Sequence, residues 1–489
     1  MSLNHGILED SSVPYEARQA ALDRVHKRPG LPTAKGSTEP FWLRDPHPTV
    51  AKAHSETLPK EADVVIIGSG ITGLSVAWTV LQTAKEQGVA PPSVVMLEAR
   101  DACSGATGRN GGHMLETVLE YHEYKEQFGR DVAMKLTRFQ LGHLPAMEGL
   151  LDSRPEVRQH SQLRKVEFVS IYFDEESFEE ALKCFAEFKK DMPEESSEFA
   201  SHTGEKLTKA ITQLLAELRR DFASSFTLET NTPVSEMDTV KGQPFPYNMT
   251  TCRGTLQAKH VVHCTNGYVG HLVPGFHGRV FPLRGQMSAQ GPGEKFENQS
   301  RKHSWLLNYH EGFDYLTQLP GSEDGTNSNS EMMFGGGLAS ARSHGLEEMG
   351  VSVDDSLDLY VDIHLSGALS AVFGREHWGP STGVKSMWTG IMGFSSDGFP
   401  WVGELPVSMT GRQLHGEAEG AEWAAVGYSG EGMVHAWLSG KALGMTLLAR
   451  QGLLPGSAVE EVREWFPEQL GITEERIRRA VLPRTLSEL

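Results

Sequence analysis

Residues 63–73 read DVVIIGSGITG, a short apolar run that leads directly into the pattern Gly68-x-Gly70-x-x-Gly73. After the third glycine the apolar residues follow helical spacing, so the segment predicts a strand, a tight turn and a helix. In such a unit the first glycine permits the turn, the second lets a pyrophosphate approach the backbone, and the third lets helix and strand pack closely. The start of the helix then offers free N–H groups and a positive dipole end to the anion. The stretch therefore predicts a dinucleotide-binding α/β fold.

A second apolar run, residues 93–97 (SVVML), follows the helical stretch and ends at Glu98. An acid at this strand end accepts hydrogen bonds from the ribose hydroxyls of an adenosine and repels a 2′-phosphate. The spacing from Gly73 to Glu98 is slightly long, because residues 87–92 (QGVAPP) lengthen the loop between helix and strand. The alternative is a glycine-rich turn in an unrelated α/β unit. The acid favours an adenosine-containing ligand.

A further glycine-rich strip comes directly after the acid, where residues 99–113 read ARDACSGATGRNGGH. A nicotinamide enzyme does not need such a strip so soon after the ribose-binding acid. A flavin enzyme does, because the ribityl chain and the isoalloxazine ring pass this loop and require close approach of the backbone. The order of these segments favours FAD over NAD.

The strip, Gly105-Ala106-Thr107-Gly108-Arg109-Asn110-Gly111-Gly112, resembles that of the D-amino-acid-oxidase-like FAD oxidoreductases, in particular the branch of γ-glutamylputrescine oxidase and related amine or amino-acid oxidases. Later motifs resemble family segments in the same order: residues 232–234 (TPV), 261–268 (VVHCTNGY), 282–286 (PLRGQ), 388–400 (WTGIMGFSSDGFP) and 426–437 (VGYSGEGMVHAW). The resemblance covers residues 60–450. It implies FAD, oxidation of a C–N bond in a small-molecule amine or amino acid, and oxygen or another electron acceptor.

The motifs and the resemblance together imply an FAD site assembled from several parts of the chain. Its expected residues are Gly68, Ser69, Gly70, Ile71, Thr72, Gly73, Glu98, Ala99, Arg100, Ser104, Gly105, Ala106, Thr107, Arg109, Asn110, Gly111, Gly112, His113, Val234, Thr265, Asn266, Gly267, Gly390, Gly430, Glu431, Gly432, Met433 and Val434. Relatives that tether their flavin through cysteine form that tether elsewhere in the chain. We therefore expect FAD to bind without a covalent link to Cys103.

The expected fold class is α/β (α+β), with a Rossmann-like FAD-binding domain interleaved with a mixed-sheet substrate domain. A chain of 489 residues suits two such domains. The FAD-binding domain is predicted from residues 61–116, 225–285 and 386–450, and the substrate domain from residues 117–224 and 286–385. Residues 1–60 are expected to form an arm across the surface, with Phe41-Trp42-Leu43 as its strong apolar anchor. Residues 451–489 are expected to form a helical tail.

Local patterns predict further elements within these domains. Apolar spacing predicts helices over residues 117–151, 177–190, 206–221 and 357–373. Strands are predicted over residues 165–173, 287–290, 315–319 and 332–334, and a short β-meander over residues 226–265. Residues 321–330 (GSEDGTNSNS) are predicted to form a polar loop.

Charge and composition exclude several classes of function. The net charge of −19 argues against a nucleic-acid partner, because nucleic acids bind to basic patches. No apolar run approaches the ~20 residues needed to cross a bilayer, and the N-terminus lacks the features of a secretory signal, so a cytoplasmic location is expected. The final residues, SEL, carry an acid where the SKL peroxisomal address has a lysine. No metal is expected, because no metal-ligand spacing is shown by Cys103, Cys184, Cys252 and Cys264.

Residues 427–432 (GYSGEG) are the strongest candidates for direct assistance to the chemistry. Hydride transfer to a flavin leaves negative charge on the ring, which backbone N–H groups and a helix N-terminus stabilise. The helix is predicted to begin near Met433. The alternative is an ordinary loop between a strand and a helix.

Substrate residues are predicted from residue type and position. Arg109 and Arg284 are candidate forks for a substrate carboxylate, with structural roles as the alternative. Aromatic residues of the expected substrate sheet could wall an amine pocket or belong to the core; these are Trp305, Tyr309 and Tyr315. His113 is a candidate proton relay or a hydrogen-bonded structural histidine, and Lys385 a candidate promoter of oxygen reduction.

Two alternatives to an amine or amino-acid oxidase remain at this point. A flavin monooxygenase on a related fold typically carries a further GD-type ribose motif, whereas Asp397-Gly398 occurs here as SDGFPWVG. An FAD-binding protein without turnover would retain the same glycine motifs.

Overall fold

A computed structural model describes residues 6, 8–114, 117–161, 163–197, 202–203, 207–321, 330–414 and 419–489 of the chain. Its strands are β1 (Glu61–Ile67), β2 (Val94–Leu97), β3 (His113–Met114), β4 (Arg164–Lys165), β5 (Glu167–Tyr172), β6 (His202–Thr203), β7 (Phe226–Glu229), β8 (Val234–Thr239), β9 (Tyr247–Thr251), β10 (Gly254–His263), β11 (Val280–Gln290), β12 (His303–Asn308), β13 (Phe313–Gln318), β14 (Met332–Gly336), β15 (Val384–Ser395), β16 (Trp401–Glu404) and β17 (Ala421–Val426).

The α-helices lie before, between and after groups of these strands along the chain. They are α1 (Tyr15–Val25), α2 (Ile71–Glu86), α3 (Val118–Phe128), α4 (Arg130–Leu141), α5 (His143–Asp152), α6 (Pro155–Ser161), α7 (Glu175–Asp191), α8 (Pro193–Ser197), α9 (Leu207–Asp221), α10 (Leu359–Val372), α11 (Gly374–Trp378), α12 (Val407–Thr410), α13 (Ala436–Arg450), α14 (Ser457–Trp465) and α15 (Glu474–Arg479). Within the described ranges, no helix combines the length and the apolar character that a membrane span requires.

The first sheet has the order β16-β17-β10-β1-β2-β7, and β8 and β9 extend it from β10. The five strands from β17 to the edge strand β7 are parallel. Side chains of β1 alternate between two apolar clusters: Val64 and Ile66 pack with Leu74 of α2, and Val65 and Ile67 pack on the opposite face. Both faces are therefore buried, as in other parallel sheets. The predicted strand, turn and helix at residues 63–73 are confirmed.

The second sheet has the order β15-β11-β14-β13-β12-β5 and is antiparallel except between β5 and β12. Alternation along its strands separates two faces. Met287 and Trp388 lie on one face with Trp42 of the N-terminal segment, whereas Trp305 and Leu316 pack with Val361 of α10 on the far face. The long strands β11 and β15 pair along their whole length and carry the chain between the two sheets.

Several predicted elements differ in detail. The helix predicted over residues 117–151 is three helices, α3 to α5, and Gly129, with φ +84°, separates α3 from α4. Residues 226–265 are not a simple meander, because β7 pairs with β2 and only β8, β9 and β10 follow one another as antiparallel neighbours. Of the predicted polar loop at residues 321–330, residues 322–329 lie outside the described residues.

The N-terminal and C-terminal segments pack closely on the two sheets. Leu22 and Val25 of α1 are buried in one cluster with Phe281 of β11. In the tail, Arg476 of α15 pairs with Asp397 at 2.8 Å. The N-terminal segment is thus more deeply packed than the predicted surface arm, and the predicted helical tail contains α14 and α15.

Candidate cofactor and substrate site

An elongated cleft begins at the carboxyl ends of β1, β2 and β10 and continues to the second sheet. Ligands of open α/β sheets bind at this end of the strands. The expected FAD residues that line the cleft are Gly68, Gly70, Ile71, Thr72, Glu98, Ala99, Arg100, Gly105, Ala106, Thr107, Arg109, Asn110, Val234, Thr265, Asn266, Gly390, Gly430, Gly432 and Met433. The structure therefore places most of the residues expected from the sequence in one cavity.

The three glycines of the first turn meet different steric limits. Gly68 has φ +112°, and a Cβ there would lie 2.5 Å from the backbone oxygen of Cys264. A Cβ on Gly73 would lie 2.0 Å from the backbone oxygen of Gly68. At Gly70 a Cβ would clash with the Thr107 hydroxyl alone, at 2.8 Å. The first and third glycines are required by the fold, whereas the second borders the space left for a ligand.

Glu98 is held rigidly at the end of β2. Its Oε2 accepts hydrogen bonds from the Ser69 N–H at 2.9 Å and the Ser69 hydroxyl at 2.7 Å, and its Oε1 accepts one from the Arg100 N–H at 3.0 Å. On the opposite wall, no described residue provides a hydrogen-bond partner for the buried Thr265 Oγ1. A fixed carboxylate and an unsatisfied hydroxyl on one cleft fit the polar edge of an adenosine ribose.

Cys103 lies under the same turn and is buried. Its thiol donates to the Ser69 carbonyl at 3.2 Å. Burial, aided by the nearby Glu98, raises the pKa of Cys103 well above its ordinary value. Such a thiol is a poor nucleophile.

The middle of the cleft is formed by the strip around Arg109. The Arg109 guanidinium donates to the Ser104 carbonyl at 2.9 Å and the Thr389 carbonyl at 2.7 Å. It also pairs with the fully buried Asp354 at 3.3 Å, which Arg100 contacts at 2.8 Å. Burial lowers the pKa of Arg109 to about 10, although Asp354 opposes this shift. Arg109 is a bound structural group and presents no free fork to a substrate.

The loop at residues 427–432 enters the cleft in left-handed conformations, with φ +77° at Gly427, +51° at Ser429 and +95° at Gly430. A 3₁₀ turn, Gly432–Val434, follows it, and α13 begins only at Ala436. The prediction of a helix starting near Met433 was therefore three residues early. The cleft is lined by this loop, by the 3₁₀ turn and by Ala436, the first residue of α13.

A group of titratable side chains that the sequence did not indicate lies beside this loop. Burial, Glu120 and Glu123 raise the pKa of Glu431 well above its ordinary value. Burial raises the pKa of Glu120 to about 7, although the Gln140 amide donates to this carboxyl at 3.2 Å. Only the fold shows their proximity, because these acids come from separate elements.

Two buried histidines belong to the same region. Burial lowers the pKa of His143 to about 4 and that of His435 to about 3. The His143 Nε2 accepts a hydrogen bond from the Leu438 N–H at 3.2 Å, which fixes the first turn of α13. Both histidines are neutral at neutral pH.

The structure brings two of the predicted catalytic residues together. Tyr315 lines the cleft beside Met287. The ring of His113 lies 5.3 Å from that of Tyr315, and its Nε2 is 2.8 Å from the Ser304 hydroxyl. Burial lowers the pKa of His113 to about 4. At neutral pH His113 therefore carries no charge.

Three other predicted catalytic residues do not lie along the cleft. Arg284 pairs with Glu348 and does not line the cleft, although the next residues of β11, Gly285 and Gln286, do. Tyr309 packs on the far face of the second sheet and donates to Asp314 at 2.9 Å. Lys385 pairs with Glu331 at 2.9 Å. Trp305 also belongs to the far-face cluster.

The remaining expected FAD residues lie outside the cleft wall. They are Ser69, Gly73, Ser104, Gly111, Gly112, His113, Gly267, Glu431 and Val434. Two of them hold residues of the wall: the Ser69 hydroxyl donates a hydrogen bond to Glu98, and the Ser104 carbonyl accepts one from Arg109. Gly111 allows close packing against the wall, because a Cβ there would lie 2.6 Å from the Tyr315 ring.

The sequence missed the contribution of the N-terminal segment. Gly30, Leu31 and Pro32 line the cleft, and the Trp42 indole donates to the Asn110 carbonyl at 2.7 Å. The Phe-Trp pair was visible as an apolar anchor, but no local pattern connects it to a site 68 residues away.

A turn suited to a pyrophosphate, an acid suited to a ribose and a second sheet over the same cleft are the features of a dinucleotide-dependent oxidoreductase of the flavin type. The family described as FAD dependent oxidoreductase (DAO) matches residues 63–445. The chain belongs to this family and is an FAD-dependent oxidoreductase. The predictions of family, fold class and FAD are confirmed.

Solved structures share the fold at low sequence identity. Glycine oxidase from Geobacillus kaustophilus superposes with a TM-score of 0.52 at 15% identity, covering 85% of this chain and 99% of that chain. L-amino acid deaminase from Proteus vulgaris gives 0.55 at 15%, covering 84% and 99%. L-proline dehydrogenase from P. horikoshii gives 0.52 at 17%, covering 87% and 100%. A search of curated proteins finds no significant match.

Proposed function

We propose that the protein oxidises a C–N bond in an amine or amino acid to the imine and passes the electrons to oxygen or another acceptor. FAD, when bound, supplies the hydride acceptor. The observation that carries the proposal is a single cleft that joins the dinucleotide turn to the second sheet, where Met287 and Tyr315 line it. Small-molecule sites are concave, largely apolar and provided with a few fixed polar groups, as this end of the cleft is.

Different residues of the cleft would bind different parts of the cofactor. The turn at Gly68 and Gly70 and the start of α2 would receive the pyrophosphate, and Glu98 would receive the adenosine ribose. The strip at Arg109 and Asn110 would support the flavin half. The buried Cys103 thiol is already hydrogen-bonded, which supports non-covalent attachment.

The charges around the cleft favour an amine over an amino acid. The arginines among the described cleft residues, Arg100 and Arg109, are both bound to Asp354. Neither is a free fork of the kind that recognises a carboxylate. Glu431 lies in the chain between the cleft residues Gly430 and Gly432, and Glu120 is close enough to raise its pKa, so two acidic groups lie beside the cleft without lining it. A bound ammonium group would stabilise their ionised forms, so we place cationic amines first.

The experiment is an anaerobic screen of the FAD-loaded protein with amines, D-amino acids and L-amino acids, monitored by loss of the visible flavin absorption. We expect bleaching by an amine and little bleaching by NADPH. Rapid bleaching by NADPH alone would favour a monooxygenase. Bleaching by dithionite but by none of the tested compounds would contradict the proposed chemistry for those substrates and favour an FAD-binding protein without turnover.

A further inference from the structure

Residues 29–43 extend along the cleft although they precede the part of the chain matched by the family. At one end, Gly30, Leu31 and Pro32 line the same cavity as Glu98 and the residues 232–234. At the other end, Phe41 and Trp42 join the apolar cluster of Met287 and Trp388 on the second sheet. The segment therefore spans the cleft from its ribose-binding end to its substrate-facing end.

Thr38 ties the middle of this segment to the cleft wall. Its N–H donates to the Asp354 carbonyl at 2.8 Å. Its hydroxyl accepts a hydrogen bond from the Thr389 N–H at 3.0 Å and one from the Arg109 guanidinium at 3.2 Å. Thr38 thus joins three separate segments of the chain around the cleft, one through its N–H and two through its hydroxyl.

Trp42 fixes a carbonyl of the cleft-lining strip. Its side chain is 6% exposed, and its indole N–H donates to the Asn110 carbonyl at 2.7 Å. The adjacent carbonyl, that of Arg109, accepts a hydrogen bond from the Trp388 indole at 2.9 Å. Two consecutive carbonyls are therefore held by two indoles, one from the second sheet and one from the N-terminal segment.

We propose that residues 29–43 form part of the FAD-binding site and that Trp42 is a positioning residue that holds Asn110 against the bound cofactor. Asn110 lines the cleft, and its side chain is fixed in turn by its own strip: the amide oxygen accepts from the Gly112 N–H at 2.8 Å. Loss of the Trp42 bond frees the Asn110 carbonyl to turn. The strip then presents a less ordered surface to FAD.

The test compares Trp42→Phe with Trp305→Phe in the full-length protein. Both tryptophans are 6% exposed, but Trp42 packs against Met287 and Trp388 of the second sheet, whereas Trp305 is part of that sheet and packs on its far face, away from the cleft. We expect Trp42→Phe to weaken FAD binding about 2- to 10-fold, the effect of one hydrogen bond, and to alter the visible circular dichroism of the bound flavin. Trp305→Phe should change neither, even where it lowers the melting temperature of the apoprotein.

A second variant keeps the proposal testable if Trp42→Phe folds poorly. Thr38→Val preserves shape and removes the hydroxyl that binds Arg109, so it should weaken FAD binding to a similar extent. Wild-type FAD affinity and flavin dichroism in both Trp42→Phe and Thr38→Val would overturn the proposal, as would equal losses in Trp305→Phe. These measurements use no amine, so failure of the proposed oxidation and failure of this inference are distinguishable.

Discussion

The two sheets face one cleft, but backbone and side chains contribute differently to the two walls. At the first sheet the wall is mainly backbone, with Gly68 and Gly70 at its turn and Glu98 at its edge. At the second sheet Gly285 and Gly390 also line it, but side chains such as Met287 and Tyr315 contribute to the wall, and their direction depends on strand alternation. A backbone wall suits a cofactor that is the same throughout a family. A wall of side chains can change with the substrate, and its residues are harder to identify from sequence.

The largest effects should come from placing a valine at two different glycines. Gly73→Val should prevent folding, because its Cβ would lie 2.0 Å from a backbone oxygen. Gly105→Val should fold, because a Cβ there meets no protein atom within 4 Å, yet Gly105 lines the cleft. We expect FAD to bind about 10- to 100-fold more weakly to Gly105→Val, the cost of steric overlap.

Circular dichroism and FAD titration measure the two outcomes separately. Gly149→Val is the control, because Gly149 is exposed in α5 and its Cβ also meets nothing within 4 Å. Wild-type FAD affinity in Gly105→Val would show that the backbone wall does not contact the cofactor at this point.

Lowering the pH should reduce the stability that the histidine-containing region beside the 427–432 loop contributes, whereas no such effect is expected from the glycine turn. The pKa of fully buried His143 is lowered to about 4, whereas an unfolded histidine titrates near pH 6.5. Between these values the unfolded state binds more protons, so this histidine's contribution to stability falls as the pH is lowered. From pH 7 to pH 5 we expect a loss of about 2 kcal/mol from His143 alone.

Urea unfolding of wild type and His143→Gln at pH 7 and pH 5 isolates this contribution. The raised pKa values of Glu120 and Glu431 act with the opposite sign, because the folded state then binds the extra protons. Their effect is largely removed in the difference between the two proteins. The stability gap should narrow by about 2 kcal/mol at pH 5; a gap independent of pH would contradict the assigned burial effect.

The smallest effect is expected at Arg284, which sequence reasoning placed near the substrate. Its guanidinium pairs with Glu348 and not with a group of the cleft. Arg284→Lys should therefore change the ratio of kcat/KM for an amine to that for an amino acid by less than about twofold, well under the loss caused by removing a direct charged contact. Steady-state kinetics on both substrates provide the check. A selective loss of activity on amino acids would contradict this and indicate that Arg284 contacts the substrate.

The parts of the molecule that were predictable from sequence are those governed by local backbone geometry. The spacing of Gly68, Gly70 and Gly73 predicted β1, its turn and α2, because the turn at Gly68 and the contact of Gly73 with the Gly68 carbonyl lie within a few residues of each other. The glycine-rich strip, residues 105–112, was visible in the sequence for the same reason, and several of its residues line the cleft. These motifs also follow one another in a fixed order along the chain.

Other features depend on contacts between distant parts of the chain. The pairing of Arg284 with Glu348 and the bond from Trp42 to Asn110 join segments that no local pattern connects. The direction of Tyr309 depends on which face of the second sheet α10 covers. Such choices are made by tertiary packing, so the substrate end of the cleft was predicted less well than the cofactor end.

The most direct test of the central claim is a single anaerobic turnover of the FAD-loaded protein with an amine that bleaches it. The account predicts that each reduced flavin is accompanied by one molecule of the carbonyl compound formed when the imine hydrolyses, together with ammonia or the corresponding amine. Flavin reduction by NADPH, with no carbonyl product from any amine or amino acid, would contradict it.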